Sequence, residues 1–165
     1  RVSVGRPVNV TRRAGYDKPA EGRFRGVAVM EGYDTYMAQV AEISITDGKV
    51  KVHRIVCAVD CGRAVNPAII SAQVESSIIF GLSAALWGEI NVQGGRVQQT
   101  NLHDYRVLRI AEVPIIATHL VDSDEPPGGI GEPATALVAP AVCNAIYAAT
   151  KQRLRSLPIA RHKLA

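Results

Sequence analysis

The segment 67–87 constrains the fold most, because it is predicted to be a long helix with apolar residues on nearly every side. Asn66 and Pro67 are typical of a helix start, and Gly88 is typical of a helix end. A helix that is apolar almost all round must be buried under other elements. The apolar stripe at i, i+4 spacing, which we expect to be buried, consists of Ile70, Val74, Ile78, Leu82 and Leu86.

Alternating and continuous apolar runs predict the strands that cover this helix. An Asp-Gly pair at 47–48 lies between two such runs and is a strong hairpin signal. Gln93 and the two glycines after it predict a second hairpin. Strands are predicted at residues 24–30, 36–45, 50–59 and 114–121. The expected fold is therefore α+β, a mixed sheet of β-hairpins with a long buried helix and a C-terminal helix packed on it.

The ends of the chain set the predicted domain limits. A small-residue segment from Pro133 predicts the C-terminal helix, which we expect to kink or restart at Pro140. Scattered Gly and Pro residues break up 1–22, which we interpret as a linker or frayed entry segment. The domain proper is predicted over 23–159, and 160–165 are predicted to form a solvated basic tail.

Charge and cysteine content exclude several classes of protein. The formal net charge is +4, yet the basic end lacks both the Gly/aromatic pattern of an RNA-binding strand and zinc-finger spacing. Three cysteines, an odd number, argue against a disulfide framework, and no His or Cys cluster predicts a metal site. The most apolar run, 76–88, is about 13 residues long, against the roughly 20 of a membrane-spanning helix. We therefore expect neither nucleic-acid binding nor a membrane span.

Glu132 stands where the acidic Pro/Gly loop 121–131 meets the C-terminal helix. Three neighbouring glycines, Gly128, Gly129 and Gly131, leave the backbone beside this carboxylate without bulk. Glu is not a favoured capping residue, so helix capping explains it poorly. The residues alone leave two interpretations open: an exposed Glu in a tight turn, or a carboxylate presented to a ligand.

Gln73 and Glu75 are conspicuous as polar residues inside the apolar helix. A buried polar group without a partner costs on the order of 1–3 kcal/mol, so each needs a hydrogen bond. Neighbouring backbone or a bound ligand could supply it, and the pattern alone does not decide between them.

Three motifs, in order along the chain, resemble a known family: DCGRAVNPAIISAQVESSIIFGLSAALWGEI, GGRVQQTNLHDYRVLRI and SDEPPGGIGEPATALVAPAVCNAIYAAT. Over about residues 23–159 the chain resembles the C-terminal part of the molybdopterin-binding large subunit of the xanthine oxidase and aldehyde oxidase family. Within that family it is similar to the isoquinoline 1-oxidoreductase beta subunits.

The resemblance implies roles for particular residues. Glu132, in the GxGEP-type loop, corresponds to the active-site base beside molybdenum, and Gln73 corresponds to the Gln that contacts the pterin. Gly129 and Gly131 are implied to let the cofactor approach. Many relatives have VEG or VEGG where this chain has Glu75, Ser76 and Ser77. The implied cofactor is molybdenum with molybdopterin cytosine dinucleotide, whose site is expected to be incomplete in this chain.

The implied function is that of a C-terminal module of a molybdenum hydroxylase, which oxidises an aldehyde or N-heteroaromatic substrate with water-derived oxygen. The implied partners are the remainder of the molybdenum-binding subunit and a small iron–sulfur subunit. The chain has neither an initiator Met nor an apolar signal core, so we expect it to be a split subunit or a piece of a longer protein, inactive alone. Relatives occur in the bacterial cytoplasm and periplasm, and the sequence does not choose between them.

Two alternative functions are non-catalytic. The apolar helix could dock onto partner subunits, or the Gly-rich helix start after Pro133 could bind an anion through backbone N–H groups. Against the second, Glu132 places a negative charge beside such an anion, and no GK[ST] sequence follows.

Overall fold

A computed structural model describes residues 6–164 of the chain. The elements, in chain order, are α1 (Arg6–Ala14), β1 (Phe24–Gly32), β2 (Thr35–Thr46), β3 (Lys49–Asp60), α2 (Pro67–Trp87), β4 (Val92–Gln93), β5 (Arg96–Val97), β6 (Ile115–Leu120) and α3 (Pro133–Thr150). Short 3-10 turns occupy Ile110–Glu112 and Ile159–Arg161.

The main sheet is mixed, which confirms the predicted fold class. Its strand order is β1-β2-β3-β6, in which β2 pairs antiparallel with β1 and with β3, and β6 pairs parallel with β3. The predicted hairpin turn joins β2 to β3, where Asp47 and Gly48 both have positive φ, as a type I′ turn requires. The second predicted hairpin is the small β4–β5 pair, which closes through Gly94 and Gly95.

The sheet is covered on both faces. Cys57 and Val59 of β3 point into a large core shared with α2 and α3. The intervening residues, Val56 and Ala58, point into a smaller core with Val10 of α1. The period-2 alternation of a strand thus explains why β3 is apolar on both sides: it lies between two helical layers.

Helix α1 corrects the prediction of a linker over residues 1–22. Residues 6–14 are helical, and Val10 and Ala14 are buried against the sheet. Scattered Gly and Pro residues suggested broken structure, yet Gly15 merely follows the helix, with the positive φ common at a helix end. Residues 1–5 of that prediction lie outside the described residues.

The basic tail is also more ordered than predicted. Leu164 is buried in the large core, and the guanidinium of Arg161 forms an ion pair with Glu89. The hydrogen bond from Arg161 lowers the pKa of Glu89. Arg161 and Leu164 are therefore held against the rest of the domain, so the predicted tail is not solvated throughout. Residue 165 of that prediction lies outside the described residues.

Helix α2 is buried on one side only. The predicted stripe is confirmed, since Ile70, Val74, Ile78, Leu82 and Leu86 are all buried. The opposite side is apolar but exposed: Ile69 is 65% and Phe80 69% accessible to solvent. The near all-round apolarity therefore reflects two separate surfaces, of which the described chain covers one.

The sequence predicts a kink or a restart at Pro140, and because α3 continues through Pro140 as a single element, the restart is wrong. Proline removes the hydrogen bond to the carbonyl four residues earlier, which belongs to Ala136. Both Pro140 and Ala136 are exposed. The carbonyl that Pro140 leaves without its helical donor therefore belongs to an exposed residue.

By length and composition alone, α2 and α3 could each cross a membrane. Both nevertheless contribute fully buried residues to the large core, such as Val74 and Val138. The expected absence of a membrane span stays a prediction.

Candidate functional site

Glu132 is the residue immediately before α3, with Pro133 at the first helical position. Its side chain makes no capping hydrogen bond to the helix. The carboxylate instead accepts a hydrogen bond from the phenol of Tyr33, whose oxygen lies 3.2 Å from Glu132 Oε2. The side chain is exposed, so this carboxylate is presented outward at the start of a helix.

The start of α3 is fixed to the sheet by a buried amide. Gln39, on β2, is fully buried and donates from Nε2 to the carbonyl of Ala134 at 2.7 Å. Close backbone packing further along supports this placement, because a Cβ on Gly26 of β1 would lie 2.2 Å from the carbonyl oxygen of Ala141. These contacts hold Glu132 in a defined place relative to the strands.

The loop before Glu132 is tied to the β1–β2 turn and to the end of β3. Gly128 N donates to Cys61 O at 2.9 Å, and Gly129 N donates to Tyr33 O at 2.7 Å. Thr35 Oγ1 donates to Gly129 O at 2.7 Å. The loop is therefore fixed through its backbone.

Gln73 and Glu132 are brought together through one carbonyl group. Gln73 Nε2 donates to Gly131 O at 2.8 Å, and Ser77 Oγ donates to the same oxygen at 3.3 Å. Thr135 Oγ1 in turn donates to Ser77 O at 3.2 Å. The turn of α2 from Gln73 to Ser77 thus meets the first turn of α3 at Gly131, the residue that precedes Glu132.

These contacts border an open cleft of about 460 Å³, which we call the Glu132 cleft. Its lining residues are Met30, Tyr33, Gln73, Ser76, Ser77, Phe80, Gly131, Glu132, Pro133, Thr135 and Ala136. The cleft has apolar walls, and its amide, hydroxyl and carboxylate groups come from three different elements. A small number of convergent polar groups in an apolar cleft is typical of a ligand site.

Gly129 and Gly131, which the resemblance assigns to cofactor approach, differ in how much space surrounds them. A Cβ on Gly131 would meet nothing within 4 Å, so its open side faces free space. A Cβ on Gly129 would lie 3.0 Å from Cβ of Tyr33, so packing against the turn accounts for that glycine. The open space at Gly131 is what an approaching ligand requires.

Sequence reasoning missed Tyr33, Thr35 and Gln39. Gln39 stands out only as a polar residue at an inward position of a strand. Tyr33 carried a clearer signal, because Tyr-Asp occupies a two-residue hairpin turn where Asn-Gly is typical. Its contact with Glu132 spans 99 positions, which no local pattern predicts.

The cysteines do not contribute a reactive thiolate. Burial raises the pKa of Cys57 to about 12, and burial also raises the pKa of Cys61 and of Cys143. Within residues 6–164, no group of three or more His, Cys, Asp or Glu residues could hold a metal ion.

Comparison with known proteins gives the cleft a context. A family model described as a molybdopterin cofactor-binding domain matches residues 7–114. Isoquinoline 1-oxidoreductase subunit beta of Brevundimonas diminuta is 38% identical over 140 residues, which are 84% of this chain and 18% of that protein.

A second curated relative is the membrane-bound aldehyde dehydrogenase of Gluconacetobacter polyoxogenes, whose name gives pyrroloquinoline quinone. It is 36% identical over 138 residues, 84% of this chain and 17% of that protein. The chain thus spans less than a fifth of either relative.

Among solved structures, quinoline 2-oxidoreductase from Pseudomonas putida 86 shares the fold. Its TM-score is 0.69 at 24% identity, over 76% of this chain and 17% of that chain.

Proposed function

The chain belongs to the molybdopterin cofactor-binding domains of the xanthine oxidase family, and from this we propose that the Glu132 cleft forms one wall of a molybdenum active site. The observation that carries the proposal is the convergence of Gln73 and Glu132 on Gly131. A ligand-sized opening, a partly exposed amide and an outward carboxylate are gathered there from distant parts of the chain.

The residues of the cleft fit one edge of a pterin cofactor. Gln73 uses Nε2 on Gly131, while its Oε1 accepts no hydrogen bond from the described residues. A carbonyl oxygen of this kind can accept from the ring N–H groups of a pterin. Gly131 leaves the space through which a fused ring would approach. The remaining edges of the cofactor would be held by parts of the subunit outside this chain.

Glu132 is the residue we assign to proton transfer. When bound, the cofactor supplies the molybdenum at which two-electron oxidation and transfer of water-derived oxygen take place. Glu132 accepts the proton that this oxygen loses as it reaches the substrate carbon. A positioned carboxylate can act as a general base within hydrogen-bond reach of such a proton, and the surrounding contacts supply that positioning.

We assign the substrate class and the finer cofactor form from the relatives. The name of one relative gives isoquinoline and that of another gives an aldehyde. We therefore propose an aldehyde or an electron-poor N-heteroaromatic as substrate, and molybdopterin cytosine dinucleotide as the cofactor. Electrons would leave through a small iron–sulfur subunit, and the chain alone would be inactive.

The exposed side of α2 is the surface we assign to the remainder of the molybdenum-binding subunit. Ile79 and Phe80 border a second open cleft of about 560 Å³, together with Tyr105, Val107 and Leu108. Large exposed apolar surfaces of this kind mark interaction sites. Because the chain spans 18% of its relative from Brevundimonas diminuta, the remainder of such a subunit offers ample surface to cover this helix.

The non-catalytic alternatives are not favoured. A docking role for α2 is compatible with catalysis, since Gln73 lines the Glu132 cleft but not the second cleft, although Ser76 and Phe80 border both. Anion binding at the start of α3 would place the anion beside the Glu132 carboxylate. The family that the chain matches consists of cofactor-binding domains.

Co-expression tests the proposal. The chain would be produced with the remainder of its subunit and the iron–sulfur subunit, and the purified complex analysed for molybdenum and for the nucleotide released by acid. We expect molybdenum and CMP in equal amounts in the complex and neither in the isolated chain. A fully assembled complex without molybdenum would overturn the proposal.

A further inference from the structure

Tyr33 occupies a backbone conformation that its side chain disfavours. It forms the β1–β2 turn with Asp34, and their φ angles are 59° and 57°. Gly32 pairs with Thr35 across this two-residue loop. Such a turn favours Asn and Gly, whereas positive φ in a bulky residue is an outlier. A Tyr at this position therefore indicates that the side chain has a use that outweighs the strain.

The hydrogen bonds that join the β1–β2 turn to Gly129 do not require a tyrosine at position 33. The contact of Tyr33 with Gly129 is made by its main-chain carbonyl, which any residue would supply. The other contact, from Thr35 Oγ1 to Gly129 O, belongs to a neighbour. The side chain of Tyr33 is 60% exposed, so core packing does not explain it either.

The phenol group meets the one carboxylate in the lining of the Glu132 cleft. Its oxygen lies 3.2 Å from Glu132 Oε2, and Tyr33 lines the same cleft as Gln73 and Phe80. A phenol O–H that donates to one carboxylate oxygen fixes the rotation of that carboxylate. The other oxygen, Oε1, is then left to receive a proton.

We propose that Tyr33 is a positioning residue for Glu132: its O–H donates to Oε2 and directs Oε1 towards the reacting centre. The inference rests on the proposed function of Glu132 as general base. Tyr33 itself neither gains nor loses a proton in the reaction. Hydrogen bonds to charged groups are stronger than neutral ones, which is why a single phenol can orient the carboxylate.

A double-mutant cycle in the assembled enzyme tests this directly. The variant Tyr33→Phe should retain cofactor content and KM but lower kcat about 10-fold, the size expected for one hydrogen bond to a charged group. In a Glu132→Gln background the same change should have no further effect, because Tyr33 acts only through Glu132. The control is Tyr36→Phe, which removes a similar bond to Glu31 outside the cleft, with 3.1 Å between the two oxygens.

A second variant separates positioning from folding. Tyr33→Asn suits the turn better, so the complex should be at least as stable to heat while kcat falls as in Tyr33→Phe. Unchanged kcat in Tyr33→Phe, or an equal loss in the Glu132→Gln background, would overturn the role of Tyr33 alone. Full turnover in Glu132→Gln by itself would instead overturn the proposed function, and with it this inference.

Discussion

Gln73 donates its side-chain Nε2 to the main-chain carbonyl of Gly131, 2.8 Å away and 58 positions later in the chain. The contact joins the second turn of the long apolar helix α2 to the loop that presents Glu132. An amide placed in this way can hold the loop with its nitrogen and face a cofactor with its oxygen. Gln73 would then link cofactor binding to placement of the base.

Replacing Gln73 by Ala in the assembled enzyme should lower molybdenum content or turnover by about 10-fold, through loss of a hydrogen bond to the loop and of an acceptor for the cofactor. Molybdenum content per complex and kcat are the measurements. Gln93→Ala is the control, because it removes the same amide from the exposed β4–β5 hairpin. Unchanged molybdenum and turnover in Gln73→Ala would reduce this contact to an ordinary surface hydrogen bond.

Gly131→Ala should leave the domain folded but reduce cofactor content several-fold, since the new Cβ occupies the open side of the cleft. Gly128→Ala should behave differently, because its Cβ would lie 2.3 Å from the carbonyl oxygen of Asp34. We expect that variant to lose about 1–3 kcal/mol of stability, as overpacked sites do. Circular dichroism melting and molybdenum analysis distinguish the two. Full cofactor loading of Gly131→Ala would contradict the assigned approach path.

The turn after β3 should be intolerant of a side chain for two reasons. Gly62 has φ +70°, and a Cβ there would lie 2.1 Å from the carbonyl oxygen of Pro126. Gly62→Ala should therefore lower the free energy of unfolding by at least about 2 kcal/mol. Gly95→Ala, at φ +75° with open space, carries only the conformational cost of about 1 kcal/mol. Urea unfolding followed by Trp87 fluorescence measures both, and equal losses would show that the close approach is unimportant.

Much of the fold could be predicted because its signals are local. The Asp47-Gly48 turn, the alternation of β2 and the Asn66-Pro67 helix start each specify their own element. Helix α1 was missed because it is short and rich in arginine, and only packing of Val10 and Ala14 on the sheet accounts for it. Local propensity is a weak guide where tertiary contacts decide.

The site was only partly predictable for the same reason. Gln73 and Glu132 were assigned through their motifs, and that assignment stays a prediction, whereas the contacts that hold Glu132 come from Tyr33 in the β1–β2 turn and Gln39 in β2. The exposed side of α2 could not be predicted from the sequence either. Apolarity predicts that Phe80 will be covered, but it does not reveal whether this chain or a partner covers it.

Cys57 should make stability fall at alkaline pH. Burial raises its pKa from 9.0 to about 12, so the unfolded chain loses this proton first. Its contribution to stability is complete below pH 9 and is lost as pH rises from 9 towards 12, approaching about 1.4 kcal/mol per pH unit. Compared with Cys57→Ala, the wild-type chain should therefore lose its advantage in urea unfolding across that range. A constant difference between the two from pH 8 to 11 would contradict the buried neutral thiol.

The proposed role of Glu132 as general base is tested most directly by the turnover of the Glu132→Gln variant in the assembled enzyme. The substitution keeps the shape of the side chain and removes its ability to accept a proton. Positioned proton transfer is typically worth about 10²–10⁴-fold in rate, so kcat should fall by at least about 100-fold while molybdenum content stays unchanged. Glu125→Gln, an exposed carboxylate in the same loop, should keep full activity. Near-normal turnover of Glu132→Gln would contradict the proposed role of Glu132 as general base and leave it as an exposed residue in a tight turn.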